Sequence, residues 1–81
     1  MIQCQAAKVT KMNGELQKIL GRNLRKCRTE LGFSQEKFAE HLGFHRTYIG
    51  AIERGEKNFS LRALEDLATL LKVDPIDLLR A

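Results

Sequence analysis

Apolar residues recur every three to four positions along most of this 81-residue chain, which is the spacing of helices that bury one face. The first such stretch runs from about Glu15 to Leu31, and Gly32 follows it as a helix stop. Its repeated apolar positions are Leu16, Leu20, Leu24, Cys27 and Leu31. The pattern predicts an amphipathic first helix.

A second helix is predicted directly after this stop. Ser34 has the side chain of an N-cap, and the polar residues that follow suit a first turn. Gly43 then ends the helix, because glycine adopts the left-handed conformation without steric cost and lets the chain reverse sharply. The inward face is predicted to consist of Phe38, Ala39 and Leu42.

A third helix is predicted to begin near His45 or Arg46 and to end near Glu53 or Arg54, before Gly55. Ile49 and Ile52, three positions apart, would pack inward. The residues left on the opposite or flanking surface are Arg46, Thr47, Gly50 and Ala51. Two helices joined by a tight glycine turn indicate a helix-turn-helix that reads DNA.

The last third of the chain predicts two more helices. Ser60 is the predicted cap of a fourth helix, and Asp74 followed by Pro75 is a favourable start for a short fifth one that carries Ile76, Leu78 and Leu79. The core-facing positions of the fourth helix are predicted to be Leu61, Leu64, Leu67, Ala68 and Leu71. With no strand pattern, the expected fold is an all-α bundle of five helices.

The length and the periodicity also set the domain boundaries. Residues 1–13 show no sustained periodicity, so we predict a flexible N-terminal arm there. Residues 14–81 form one predicted domain for DNA binding and dimerisation. A core this small is marginal unless its helices pack well or the chain oligomerises.

The charge distribution favours nucleic acid as a partner. Fourteen Lys and Arg against ten Asp and Glu give a formal charge of +4. Residues 1–59 carry eleven basic and six acidic side chains, whereas residues 60–81 carry three and four. The positive excess therefore lies with the predicted helix-turn-helix, where it would supply salt-sensitive affinity for DNA.

Other classes of function find little support in the sequence. Cys4 and Cys27 form neither a disulfide framework nor a zinc pattern, and Cys27 is expected to be a small buried thiol. His41 and His45 flank Gly43, so they do not share one helical face as a metal pair would. We expect no catalytic residues, metal or cofactor, no membrane span, and a cytoplasmic protein.

These motifs together resemble a known family. The order of a basic first helix, the segment SQEKFAEHLGFHRTYIGAIERG and a capped leucine-rich helix is similar to the phage repressor and Cro type of helix-turn-helix domain. The resemblance covers roughly residues 18–80 and implies the lambda-repressor-like fold. Within that family the residues from Arg46 to Ile49, from Ile52 to Gly55, and Asn58 most resemble the small controller proteins of restriction-modification systems.

The resemblance implies which residues read DNA bases. Arg46 and Thr47 would enter the major groove, where an arginine can bind O6 and N7 of guanine. The ring of Tyr48 would pack partly inward while its hydroxyl reaches a phosphate or a base. Gly50 and Ala51 would let the helix lie close to the base edges, with Ala51 offering only its methyl group.

The resemblance also implies contacts to the DNA backbone. Gln35 would hold a phosphate with its side chain and backbone amide, assisted by Ser34, at the N-terminus of the second helix. Arg54, Lys57 and Asn58 would make further backbone contacts that position the domain without specifying sequence.

Two structural roles follow from the same resemblance. Arg28 and Glu53 would form a partly buried ion pair that ties the first helix to the third. The chain would act as a homodimer on a palindromic operator, because one helix-turn-helix makes too few contacts for useful specificity. The expected dimer interface consists of Leu71, Val73, Ile76 and Leu79.

Several regulatory functions remain open at this stage. A controller protein would activate transcription at low occupancy through contact with RNA polymerase, for which Glu36 and Glu40 are the candidate residues, and would repress it when a second dimer binds. The alternatives are a phage-type repressor, the DNA-binding subunit of an antitoxin, or a protein-interaction module that keeps the fold without binding DNA. The basic charge and the exposed Arg46 and Thr47 favour DNA.

Overall fold

The computed structural model describes residues 13–81, so the predicted arm lies outside the described residues except for Asn13. The described part is helical and contains no strand. Its elements are α1 (Glu15–Glu30), α2 (Gln35–Leu42), α3 (Arg46–Glu53) and α4 (Leu61–Leu71), followed by a single 3-10 turn (Asp77–Leu79). The all-α class is confirmed, but residues 13–81 contain four α-helices rather than five.

The predicted caps of α2 and α4 are confirmed. The Ser34 hydroxyl accepts a hydrogen bond from the backbone N–H of Lys37 at 3.1 Å, and the Ser60 hydroxyl accepts one from Ala63 at 3.0 Å. Each bond satisfies a backbone donor that the first turn of a helix leaves without an intrahelical partner. These side chains thus fix where α2 and α4 begin.

Gly43 forms the turn between α2 and α3. Its φ of 79° is in the left-handed region, which glycine adopts without strain. The chain reversal lets the N–H of Phe44 donate to the Ala39 carbonyl at 2.8 Å, which satisfies one of the last carbonyls of α2. The predicted helix-turn-helix geometry is therefore present.

The prediction of a fifth α-helix was wrong. The Asp74 carboxylate does accept a hydrogen bond from the N–H of Ile76 at 2.9 Å, as an N-cap would. The backbone bonds that follow, however, each span three residues, and Arg80 already has extended angles. The segment is thus a single 3-10 turn, and the side chain of Asn23 in α1 donates to the carbonyls of Leu78 and Arg80 at its end.

The core lies where the four helices meet the C-terminal turn. Its largest fully buried side chains are Phe38, Leu24, Ile49, Ile52 and Leu67. They come from all four helices, and Leu78 of the 3-10 turn completes the core. Because α3 contributes both of its isoleucines, the helix that carries the candidate base readers is anchored rigidly.

Four apolar side chains are less buried than the spacing predicted. Leu61 is 82% exposed and Leu31 60% exposed, and Leu16 is also largely outside the core. Leu61 and Leu16 lie in the first turns of their helices and Leu31 at a C-cap, where no neighbouring element covers them. Cys27 is only half-buried; burial, and then the nearby Glu30 carboxylate, raise the pKa of its thiol.

Candidate nucleic-acid interface

The first turn of α3 presents two side chains to solvent. Arg46 and Thr47 are exposed, whereas Ile49 and Ile52 on the other face of the same helix are fully buried. The helix begins with His45 as its cap, whose Nδ1 atom accepts a hydrogen bond from the N–H of Thr47 at 3.1 Å. The structure thus holds the exposed pair on a capped and anchored helix end.

Arg46 has an acidic neighbour on α2. Its Nη1 atom lies 4.0 Å from the Glu36 carboxylate, and both side chains are about two-thirds exposed. An ion pair this exposed contributes little to stability, about 0 to 1 kcal/mol. The guanidinium therefore remains available to a ligand.

Tyr48 lies in an aromatic cluster. Its ring centroid is 5.1 Å from that of Phe44 and 6.2 Å from that of Phe59, and the Nζ of Lys57 lies 5.0 Å above the ring. The ring is half-buried, in the intermediate position that the sequence indicated. Lys57 is thereby held beside α3 by a cation–π contact.

Gly50 is buried, and the side chains that lie over it belong to polar residues on the flanking surface of α3 rather than to the core. A Cβ atom at this position would lie 3.0 Å from Nη1 of Arg54 and 3.8 Å from Oε1 of Gln35. The missing side chain therefore leaves room for the Arg54 guanidinium against α3. Ala51 is half-buried beside it.

Arg28, Glu53 and Gln35 form one hydrogen-bonded network between α1, α2 and α3. The Arg28 Nε donates to Glu53 Oε2 at 2.6 Å, its Nη2 donates to Oε1 at 3.1 Å, and its Nη1 donates to the carbonyl of Phe33. The Gln35 amide also donates to Oε1 of Glu53, at 3.0 Å. The ion-paired side chains are only 13% and 5% exposed. Sequence reasoning did not anticipate Gln35 in this network.

The other candidate backbone contacts lie around the C-terminal end of α3. Arg54 is exposed and its Nε donates to the Glu56 carboxylate at 3.1 Å. Asn58 is exposed, and its Oδ1 accepts a hydrogen bond from Gln17 of α1 at 2.9 Å. Ser34 uses its hydroxyl to cap α2, directly before Gln35, whose amide reaches Glu53 at the end of α3.

The four predicted interface residues are not equally accessible. Leu71, Val73 and Leu79 are half-buried and pack against the core, whereas Ile76 is 57% exposed. Leu79 also lines an apolar groove with the exposed Leu16 and Leu61, which the sequence pattern had assigned to the core. Leu70 is exposed as well. The exposed apolar surface is therefore larger than predicted.

Two further findings concern the described residues only. Between residues 13 and 81, the His, Cys, Asp and Glu side chains form no group of three or more that could bind a metal ion. In the same range no helix has both the length and the apolar character needed to cross a membrane.

Comparison with known proteins gives a consistent result. A family model described as a helix-turn-helix domain matches residues 19–81. Control protein C.SmaI of Serratia marcescens is 46% identical over 57 residues, which cover 70% of this chain and 68% of that protein. Control protein C.BamHI of Bacillus amyloliquefaciens is 41% identical over 69 residues, covering 84% and 85% respectively.

A solved structure agrees with these sequence matches. The restriction-modification controller protein C.AhdI from Aeromonas hydrophila superposes with a TM-score of 0.64 at 42% sequence identity. The superposition covers 76% of this chain and 94% of that protein. The likeness therefore extends over most of the helical bundle as well as the two helices of the motif.

Proposed function

The chain belongs to the helix-turn-helix domain family, and from this premise we propose that it is a transcription regulator that binds operator DNA in the manner of restriction-modification controllers. One observation carries the proposal. Arg46 and Thr47 project from the first turn of α3, whose opposite face is fixed in the core. A helix end of this kind fits the major groove.

Arg46 is the leading base reader. Its planar guanidinium can donate two parallel hydrogen bonds to O6 and N7 of a guanine, a contact that discriminates between bases by about 1 to 3 kcal/mol. Thr47 beside it can contact a base edge or a thymine methyl group. The Tyr48 hydroxyl belongs to the same turn, and its ring is held by Phe44 and Phe59.

The DNA backbone is bound by two groups of residues outside this reading turn. The N-terminus of α2 offers backbone N–H groups near Ser34 and Gln35, which favour a phosphate. Arg54, Lys57 and Asn58, at and after the end of α3, supply positive charge and hydrogen-bond donors. These contacts orient the domain, while the first turn of α3 supplies specificity.

The functional unit is a homodimer on a palindrome. Its contact surface consists of Leu71, Val73, Ile76 and Leu79. Ile76 is the most exposed of these, and Leu79 also lines the groove with Leu16 and Leu61. Two protomers would place their reading helices in half-sites about one DNA turn apart, on the order of 34 Å.

The regulator would also contact RNA polymerase, and it would act in the cytoplasm. RNA polymerase would be contacted by the exposed acidic face of α2, for which Glu36 and Glu40 are the candidates. Replacing both with Gln should abolish activation in a reporter assay without weakening operator binding; a reporter that is unaffected removes this role. The protein acts in the cytoplasm by binding alone, without a catalytic step or cofactor.

The direct test is selection of bound sequences from a random duplex pool at two salt concentrations. It compares the wild type with Arg46→Ala and with Arg22→Ala, since Arg22 is an exposed arginine of α1 outside the helix-turn-helix. We expect the wild type and the control to select the same palindrome, and Arg46→Ala to lose a guanine preference in each half-site.

The salt series separates sequence-specific binding from simple attraction of charges. Binding without a motif that disappears as salt is raised would reflect phosphate attraction alone. That result would contradict the proposal and favour a protein-interaction module. If Arg46→Ala selects the same motif as the wild type, Arg46 is not the base reader, but the chain is still a sequence-specific DNA-binding regulator.

A further inference from the structure

Asn23 of α1 binds the C-terminal turn through one amide group. Its Nδ2 atom lies 2.8 Å from the carbonyl oxygen of Leu78 and 2.8 Å from that of Arg80, with the carbonyl of Asp77 at 3.4 Å. A side-chain amide has two N–H donors, so the two short contacts use both of them. The side chain is half-buried between α1 and the turn.

These bonds are the main polar attachment of the turn to the bundle. Leu78 anchors the turn by its buried side chain, but its own carbonyl belongs to the last backbone groups of a helical turn, which have no partner within the turn. The ion pair between Arg80 and Asp77 is exposed and joins two residues of the same segment. Asn23 therefore attaches the C-terminal turn to α1, which the ion pair within the turn cannot do.

The turn held in this way carries proposed interface residues. Ile76 immediately precedes it and is 57% exposed, and Leu79 within it lines the groove shared with Leu16 and Leu61. Two protomers can pack these side chains well only if each turn already has a single conformation. Ordering a mobile turn on association would subtract from the affinity.

We propose that Asn23 is a positioning residue for dimerisation, which fixes the C-terminal turn so that its apolar side chains are presented to a second copy of the chain. The inference rests on the proposed homodimer. Asn23 itself contacts neither the second copy nor DNA in this role. It acts through the carbonyls of Leu78 and Arg80 alone.

The test is sedimentation equilibrium of the full chain, comparing the wild type with Asn23→Asp and Asn23→Ala. Aspartate keeps the shape of the side chain but replaces both donors with acceptors that face backbone carbonyls. Lys26→Gln is the matched control, because it changes the net charge by the same amount on the same helix, and Lys26 lines the same shallow cleft as Asn23, between α1 and Leu78. Circular dichroism of each variant reports whether the bundle remains folded.

We expect Asn23→Asp to raise the dimer dissociation constant by about tenfold or more, Asn23→Ala by a smaller factor, and Lys26→Gln by less than about twofold. If Asn23→Asp does not fold, Asn23→Ala provides the same comparison without a new charge. A folded Asn23 variant with the dissociation constant of the control would overturn the inference alone. A wild type that remains monomeric would overturn the homodimer, and the inference with it.

Hydrogen exchange gives a second readout that a general loss of stability would not reproduce. The amides of Leu78, Leu79 and Arg80 donate within the turn. In Asn23→Ala they should exchange faster than in the wild type, while the amides of α3 keep their protection. Equal acceleration throughout the bundle, or none in the turn, would contradict the positioning role.

Discussion

Gly21 of α1 lies so close to α3 that a Cβ atom there would be 2.8 Å from the carbonyl oxygen of Glu53 and would also collide with the carbonyl of Ile52. Both obstacles are backbone atoms, which cannot turn aside as a side chain can. The contact sets how closely α1 and α3 approach at Glu53, the residue whose side chain also pairs with Arg28 of α1. It accounts for a glycine in the middle of a helix, where alanine would otherwise be preferred.

Gly21→Ala should therefore destabilise the fold despite its better helix propensity. Relieving the collision requires α1 to shift from α3, and overpacking of this kind costs about 1 to 3 kcal/mol. Urea unfolding followed by circular dichroism measures the change. Gly50→Ala is the matched control, because a Cβ there meets the end of the flexible Arg54 side chain instead. A Gly21→Ala variant as stable as Gly50→Ala would show that the two helices can separate freely.

Glu53→Ala should lower stability by about 3 to 5 kcal/mol, because it leaves the Arg28 guanidinium, whose side chain is 13% exposed, without its charged partner. Gln35 loses a hydrogen-bond acceptor in the same variant. Asp66→Ala is the control, since it breaks the exposed pair with Arg62 and should cost less than about 1 kcal/mol.

Measurements of DNA affinity distinguish a structural role of Glu53 from a direct role in DNA binding. We expect Glu53→Ala to weaken DNA binding mainly through this loss of stability, so that affinity recovers at low temperature, where the variant remains folded. Full thermal stability together with lost affinity would contradict this interpretation. Thermal unfolding and fluorescence anisotropy on one operator duplex give both quantities.

Lys72→Gly should stabilise the protein. Lys72 ends α4 with a φ of 58°, a left-handed conformation that costs a residue with a Cβ atom about 1 to 2 kcal/mol. Part of this gain is offset by the greater freedom of glycine in the unfolded chain, so we expect a net gain of about 1 kcal/mol. Lys72→Ala retains the Cβ atom and should gain little. Equal effects of the two variants on the unfolding midpoint would instead implicate the lysine side chain.

The Cys27 thiol should react slowly with iodoacetamide near pH 8. Burial, and then the Glu30 carboxylate, raise its pKa, so a smaller fraction is the reactive thiolate than in the unfolded chain. The rate is measured in a Cys4→Ser background, with and without denaturant. Denaturant should accelerate the reaction; an equal rate in both states would contradict the prediction. Glu30→Gln should accelerate it modestly without unfolding.

Local signals in the sequence predicted most of the fold. Ser34, Gly43 and Ser60 act on residues within a few positions of themselves, so their side-chain chemistry was sufficient to place helix starts and the turn. The exposure of Arg46 and Thr47 could also be predicted locally, because the spacing of Ile49 and Ile52 sets which side of α3 faces the core.

The errors came from contacts between distant residues. Asp74 and Pro75 are favourable for a helix start, but the segment that follows is a single 3-10 turn held against α1, where Asn23, more than fifty positions away, donates to the carbonyls of Leu78 and Arg80. Leu61 has the spacing of a core residue, yet no element covers the first turn of α4. Periodicity gives the phase of a helix but not the extent of what packs over it.

Gly21 and Asn23 together make α1 the element that fixes the positions of α3 and of the C-terminal turn relative to each other. One residue sets the separation from α3, and the other, two positions later, fixes the C-terminal turn. In the proposed dimer, the position of the reading helix relative to the interface turn of the same protomer is therefore set by two residues of α1. A substitution at either residue should change the half-site spacing that the dimer prefers, while the reading turn of α3 stays the same.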